Sequence, residues 1–281
     1  MLRFVLFIVL CLATAGCDSN DDRRPLRAAV LPDQAPEQLH QNYQPLLDYL
    51  SVKTGRTVEL IIPSDYQNMV DIFAAGDVDI AFFGGLTFVQ AEKRAGAIPL
   101  VSRDIDARFT SYFIARTSSP GTSIADFGGS RLGFGSRQST SGHLMPRYFM
   151  QSLGIDPETF FASVEFTGAH DRTAVMVRDG VLDIGAVNAQ IVRDMVASEA
   201  LSMTDIRIVW ETPPYIDYVW AAHPGLEAET RHAVVGALIE LSASDPRHKE
   251  ILAKFGANIF LPARVGDFDS LRALAADLGF L

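Results

Sequence analysis

The chain has 281 residues, 48% of them hydrophobic, and a formal net charge of −10. That length and apolar content supply an ordinary core for one or two domains. The acidic balance excludes the basic stripe that a nucleic-acid partner requires. It leaves a small anionic ligand open, because surface carboxylates are screened over about 8–10 Å in physiological salt.

In chain order, residues 1–17 read as a lipoprotein signal peptide. Arg3 gives a positive start, residues 4–13 are apolar without a charge, and Thr14-Ala15-Gly16 places small residues before Cys17. The run is too short to cross a bilayer as a helix, which takes about 20 residues. Its ending resembles a bacterial lipobox, in which the cysteine is acylated and becomes the new N-terminus. Thr14 stands where that pattern prefers Leu, so a plain secretory signal stays open. Asp18 resembles the inner-membrane retention signal of Gram-negative lipoproteins. The expected location is the periplasm, lipid-anchored to the inner (cytoplasmic) membrane, with residues 18–25 as a tether. Cys11 and Cys17 are the only cysteines, so the mature body has neither a disulfide nor a thiolate metal site.

From there strands and helices alternate. Strands are expected at 26–31, 58–62, 78–83, 111–115, 131–134, 163–167, 183–187 and 207–210. Helices are expected at 43–54, where Leu46, Leu47 and Leu50 share a side, and at 67–75, 143–153, 173–178, 229–242 and 269–278. The alternation predicts an α/β fold. An internal echo sharpens it. Gly76-Asp77-Val78-Asp79-Ile80-Ala81 recurs as Gly180-Val181-Leu182-Asp183-Ile184-Gly185, 104 positions on, and the same offset lays Tyr66 over His170 and Gly84 over Asn188. Two similar lobes would each offer a helix start and a strand end to a shared cleft, the usual ligand position in open α/β sheets.

Ser139-Thr140-Ser141-Gly142 follows a strand-like run and precedes a helix start. Free amide N–H groups and the helix dipole favour an oxyanion there, and the hydroxyls add donors. Taken alone the quartet reads more readily as an N-cap. Arg137 and Arg147 flank it, and at least one of them is expected to face solvent. Asp79 and Asp183 read as strand-start or turn residues, and Tyr218 and Trp220 as hinge packing. There is no Walker pattern, zinc-protease motif, EF-hand loop or nucleophile elbow, and the six histidines lack metal-ligand spacing. No metal, no cofactor and no catalytic residue is expected.

Five stretches carry a specific likeness: Ser64-Asp65-Tyr66; residues 79–85; residues 139–148; Gly168-Ala169-His170-Asp171; and residues 213–220. In this order the chain resembles the phosphate/phosphite/phosphonate-binding family of periplasmic receptors for ABC importers, with a look of the subgroup labelled selenate-binding. The likeness runs from about Leu26 to Leu281. It implies a two-lobe periplasmic-binding-protein (Venus-flytrap, type II) fold with a hinge, residues 26–112 plus 219–281 forming one lobe and 113–218 the other. It implies that Tyr66 donates to the ligand from the first lobe and that Tyr112 lines the cleft. Ser139, Thr140 and Ser141 would hold the oxyanion, His170 would add a donor, and Asp217 would accept a proton from the ligand. The family's Asp-x-x-x-Trp element is altered here to Asp217-Tyr218-Val219-Trp220.

The implied protein is a monomer that captures a small oxyanion and passes it to permease and ATPase subunits. If Asp217 enters the cleft, it favours phosphorus oxyanions that retain an O–H over sulfate or selenate, since an unpaired buried partner costs about 1–3 kcal/mol. If it turns away, the selenate or sulfate type is the alternative. A periplasmic sensing module and a lipoprotein hydrolase are further alternatives, the last weakened by the missing catalytic motifs.

Overall fold

The structure is a computed structural model that describes residues 24–281. The signal peptide, Cys17 and most of the tether lie outside the described residues. The first lobe begins with β1 (Leu26–Val30), α1 (Pro36–Thr54), β2 (Val58–Ile61), α2 (Tyr66–Ala74), β3 (Ile80–Phe83), α3 (Gly85–Ala95) and β4 (Ile98–Arg103). The chain then crosses to β5 (Ser111–Arg116), β6 (Arg131–Phe134), α4 (Met145–Ser152), α5 (Pro157–Phe160), β7 (Ser163–Phe166), α6 (His170–Arg178), β8 (Ile184–Asn188), α7 (Ala189–Ala197) and β9 (Ile206–Glu211). It returns through β10 (Val219–Ala222) to α8 (Ala228–Glu240), α9 (Pro246–Ala253), β11 (Phe260–Pro262) and α10 (Asp269–Asp277).

The two sheets share one plan. The first runs β2-β1-β3-β10-β4-β11 and the second β7-β6-β8-β5-β9. In each, three parallel strands are followed by an antiparallel strand from the other side of a crossover, β10 in the first sheet and β5 in the second. The crossovers touch. Phe109 and Tyr215 exchange backbone hydrogen bonds of 2.8 and 3.0 Å, and Asp217 N–H donates to the Asp106 carbonyl at 3.1 Å. Beside them Arg103 and Asp106 form a buried ion pair, and the guanidinium lies against Phe82, Phe109 and Tyr218. An ion pair this enclosed contributes a fixed geometry more than net stability.

The sequence echo is a structural repeat. Asp79 accepts from the Arg27 amide at 2.8 Å, and Arg27 donates to the Gly76 carbonyl at 2.6 Å. At the same spacing Asp183 accepts from the Arg131 amide at 2.9 Å, and Arg131 donates to the Gly180 carbonyl at 2.9 Å. Gly76 and Gly180 have φ of 76° and 77°, a left-handed turn that glycine adopts without a Cβ penalty. Asp79 and Asp183 therefore clamp helix ends to strand starts, as their turn reading anticipated. Because α2 and α6 have the same length, Tyr66 and His170 both become first helical residues.

Some elements depart from expectation. The first helix starts at Pro36, not 43, because proline suits the first turn, where its missing N–H has no partner to lose. Its Leu39, Leu46, Leu47 and Leu50 are fully buried, each contributing about 1.5–3 kcal/mol. Trp220 is not hinge packing. It lies mid-strand in β10, fully buried within the first sheet.

Candidate functional site

The parallel strands of each sheet point their carboxyl ends at the other lobe, and the polar residues gather there. Tyr66 opens α2 behind an Asp65 cap, whose carboxylate accepts from the Asn68 amide at 2.7 Å. The ring is 2% exposed, and its hydroxyl has no hydrogen-bond partner among the described residues. Burial, reinforced by Asp33, holds the phenol well above its ordinary pKa, so it remains a donor.

Opposite it, Ser139, Thr140 and Ser141 are buried at the start of a π-helical turn, Thr140–Leu144, that runs into α4. Ser139 is an N-cap, its hydroxyl accepting from the Gly142 amide at 2.9 Å, and it faces the cleft as well. The capping and ligand readings of this residue are compatible. Thr140 accepts from the Leu86 amide across the lobes at 2.9 Å.

His170 is 1% exposed, and burial lowers its pKa to about 3, so the ring is neutral. The Asn188 amide donates to Nδ1 at 3.1 Å, which places the ring proton on Nε2. That nitrogen lies 3.4 Å from the Ser139 hydroxyl. His170 is thus a fixed neutral donor aimed at the turn.

Asp217 is fully buried on the return crossover. One carboxylate oxygen accepts from the Gly85 amide at 2.9 Å, and the other has no partner among the described residues. Burial pushes the carboxyl up to about 7, while Gly85, Thr140 and Ser141 pull the other way. Its neighbours place it in the cleft. A Cβ on Gly84 would lie 3.3 Å from Asp217 Oδ1 and 3.4 Å from Thr140 Oγ1, so glycine there lets the two lobes close on each other.

Tyr112 does not join this cluster. It points away from the cleft, where its hydroxyl accepts from Arg193 at 2.8 Å and its ring packs in the second-lobe core. The reason is the two-residue period of a strand. The adjacent Ser111 takes the cleft side, donating to the Ser141 carbonyl at 2.6 Å and bonding the Tyr215 hydroxyl.

Three further residues belong to the site. Asp33 is buried just past β1, with one carboxylate oxygen unpartnered and the carboxyl raised to about 7 by burial. Tyr218 is not mere hinge packing. It donates to Asp33 at 3.2 Å and accepts from the Asn188 side chain at 3.0 Å. Strand-end position was the available signal for Asp33 and Asn188, and the Gly84-Gly85 pair for the first amides of α3. Among the described residues no group of three His, Cys, Asp or Glu side chains forms a candidate metal set, and no helix is long and apolar enough to cross a membrane.

The cleft therefore presents neutral O–H and N–H donors with a buried carboxylate acceptor. Comparison with known proteins shows the family. Residues 28–268 match the family described as ABC transporter, phosphonate, periplasmic substrate-binding protein. The chain is 30% identical over 265 residues to the probable ABC transporter phosphite binding protein PhnD1 of Prochlorococcus marinus (strain MIT 9301), covering 90% of this chain and 89% of that one. It is 29% identical over 262 residues to the phosphate-import protein PhnD of Mycolicibacterium smegmatis, covering 85% and 80%. The structure of Prochlorococcus marinus PhnD1 in complex with methylphosphonate matches with a TM-score of 0.86 at 29% identity, covering 91% of this chain and 98% of that one.

Proposed function

The chain belongs to the periplasmic substrate-binding proteins of phosphonate ABC transporters, and from that premise we propose how its cleft selects a ligand. It serves an ABC importer as the component that captures a small phosphorus oxyanion, of the phosphonate or phosphite kind. Tyr66 donates from the first lobe. Ser139, Ser141, His170 Nε2 and the amides of the turn donate from the second. Asp217 accepts the proton of a P–O–H group, and Thr140 ties the closed turn to α3. Residues 26–112 with 219–281 move against 113–218 about the paired crossovers, although the second sheet already takes up β5 at Ser111.

The observation that carries this reading is the unpartnered oxygen of Asp217, fully buried beside the hydroxyl turn. Methylphosphonate, phosphite and phosphate monoanions bring an O–H to that oxygen. Sulfate and selenate bring only acceptors, so binding one there needs Asp217 itself protonated, at a cost that grows as pH rises above about 7. The protein carries no catalysis on this reading. The amide on His170 Nδ1 keeps the proton on Nε2, so the ring has no lone pair to activate Ser139. It acts as a monomer, held to the inner membrane through Cys17.

Titration calorimetry of the mature protein against methylphosphonate, phosphite, phosphate, sulfate and selenate tests the reading. Binding of at least one phosphorus oxyanion, with sulfate and selenate at least tenfold weaker, is the expected result. Preference for sulfate or selenate overturns it.

A further inference from the structure

The two arginines that flank the oxyanion turn have different fates. Arg147 is engaged on every side. Its two terminal nitrogens donate to Glu158 at 2.6 Å each, and its Nε donates to His143 Nε2 at 2.9 Å. His143 donates in turn to the Arg137 carbonyl at 2.8 Å, and burial lowers its pKa to about 4, so it is neutral. Arg137 is exposed, and no described carboxylate pairs with it. Its guanidinium is fixed instead over the Phe166 ring, 3.9 Å from the centroid.

This placement is beside the oxyanion turn. Arg137 is two residues before Ser139, so its Cα lies within about 7.6 Å of the Ser139 Cα by chain geometry. The intervening Gln138 bonds Gln67 across the lobes at 3.0 Å, and Gln67 follows Tyr66. Arg137 also lines an inter-lobe groove of about 320 Å³ with His143, Arg147, Gln151, Leu278 and Phe280. Of the two cations in that lining, Arg147 is paired with Glu158, and Arg137 is the one without a described carboxylate partner. It stands on a chain whose formal charge is −10 and whose ligand is an anion.

We propose that Arg137 is the encounter residue for the incoming oxyanion: it draws the anion to the groove beside the oxyanion turn and hands it to the adjacent hydroxyls. The inference rests on the oxyanion reading of the cleft and adds a step before closure. Stacking on Phe166 holds the cation there without committing its N–H donors, so they remain available to a passing anion. An exposed charge acts on the association rate and is screened by salt, whereas contacts inside the closed cleft act on dissociation.

The test is stopped-flow tryptophan fluorescence with methylphosphonate and with phosphite, over a range of ionic strength, on wild type, Arg137→Gln and Lys93→Gln. Lys93 is exposed near the far end of α3 and controls for net charge alone. The expected result is a two- to fivefold fall in the association rate of Arg137→Gln at about 10–20 mM salt, from one unit charge at roughly 8 Å in water. The deficit should vanish above about 0.5 M salt, with dissociation unchanged. Arg137→Glu should deepen it, and Lys93→Gln should lack it. An unchanged association rate, a salt-independent deficit, or an equal effect of Lys93→Gln overturns the proposal while leaving the oxyanion reading intact. A wild type that binds neither probe overturns the oxyanion reading itself, and the encounter step with it.

Discussion

Replacing Asp217 by Asn separates what the cleft does for the fold from what it does for the ligand. In the closed cleft burial raises this carboxyl from 3.8 to about 7. At about 1.4 kcal/mol per unit, ionised Asp217 costs the closed protein about 4 kcal/mol, and hydration in the open form relieves part of that, leaving about 2 kcal/mol. The sign follows from the raised pKa. The penalty is absent below pH 3.8, grows as pH rises, and is complete above about 7. Asn has the same shape, accepts from the Gly85 amide, and has no charge to bury. The ligand-free variant should therefore melt about 4–8 °C higher at pH 8 and nearly unchanged at pH 4, at roughly 2–4 °C per kcal/mol for a protein of this size. Its affinity for methylphosphonate should fall about 10- to 100-fold, from loss of one charged hydrogen bond worth about 1.5–3 kcal/mol. Sulfate affinity should not fall. Thermal melts across pH and titration calorimetry read both effects. A lower melting temperature at pH 8, or unchanged methylphosphonate affinity, refutes the reasoning.

Three other outcomes are expected. Alanine at Ser139, Thr140 and Ser141 together should weaken methylphosphonate binding about 100-fold or more in calorimetry while leaving residual binding through the backbone amides, and should lower stability by about 1 kcal/mol through loss of the Ser139 cap. Tyr66→Phe should weaken binding about tenfold and reduce ligand-induced compaction in small-angle scattering, and no compaction of the wild type would exclude the clamshell motion. If Cys17 carries the proposed lipid anchor, Cys17→Ser should shift the protein from the membrane to the soluble periplasmic fraction.

The parts of the fold that local pattern controls were legible beforehand. The echo at Gly76 and Gly180 announced two similar lobes because a left-handed turn and a clamping aspartate must recur wherever that helix-to-strand turn recurs. The echo also aligned Tyr66 with His170, which the structure places at matching helix starts. What escaped was set by the other half of the chain. α3 opens on two glycines, and its first amides are satisfied by Asp217 and Thr140, residues far along the sequence. β10 is short and follows Pro213-Pro214, and it becomes a strand by insertion between β3 and β4. Tyr112 was misjudged for a smaller reason: nearness to a crossover does not say which face of β5 a side chain takes.

Those long-range bonds also bear on how a ligand closes the cleft. Thr140 to the Leu86 amide, the His170 amide to the Asp33 carbonyl, Asp171 to the Ala35 amide, Asn188 to Tyr218 and Gln138 to Gln67 all cross between lobes or to the return crossover. Each exchanges a water bond for a protein bond and is worth about 1 kcal/mol net. Against them stand two buried carboxylates, Asp33 and Asp217, each with an unpartnered oxygen and each raised to about 7 by burial. The two sides are of similar size, so closure without ligand gains little. A ligand that gives its O–H to Asp217 and accepts from Tyr66, the turn and His170 removes a penalty present only in the closed form. That difference between open and closed is the whole of the free energy it can apply to closure. On the proposed reading, discrimination and motion are therefore one property of the site. An oxyanion without a proton to give, on the same reading, leaves the Asp217 penalty in place above about pH 7 and should close the cleft less readily even where it binds the turn.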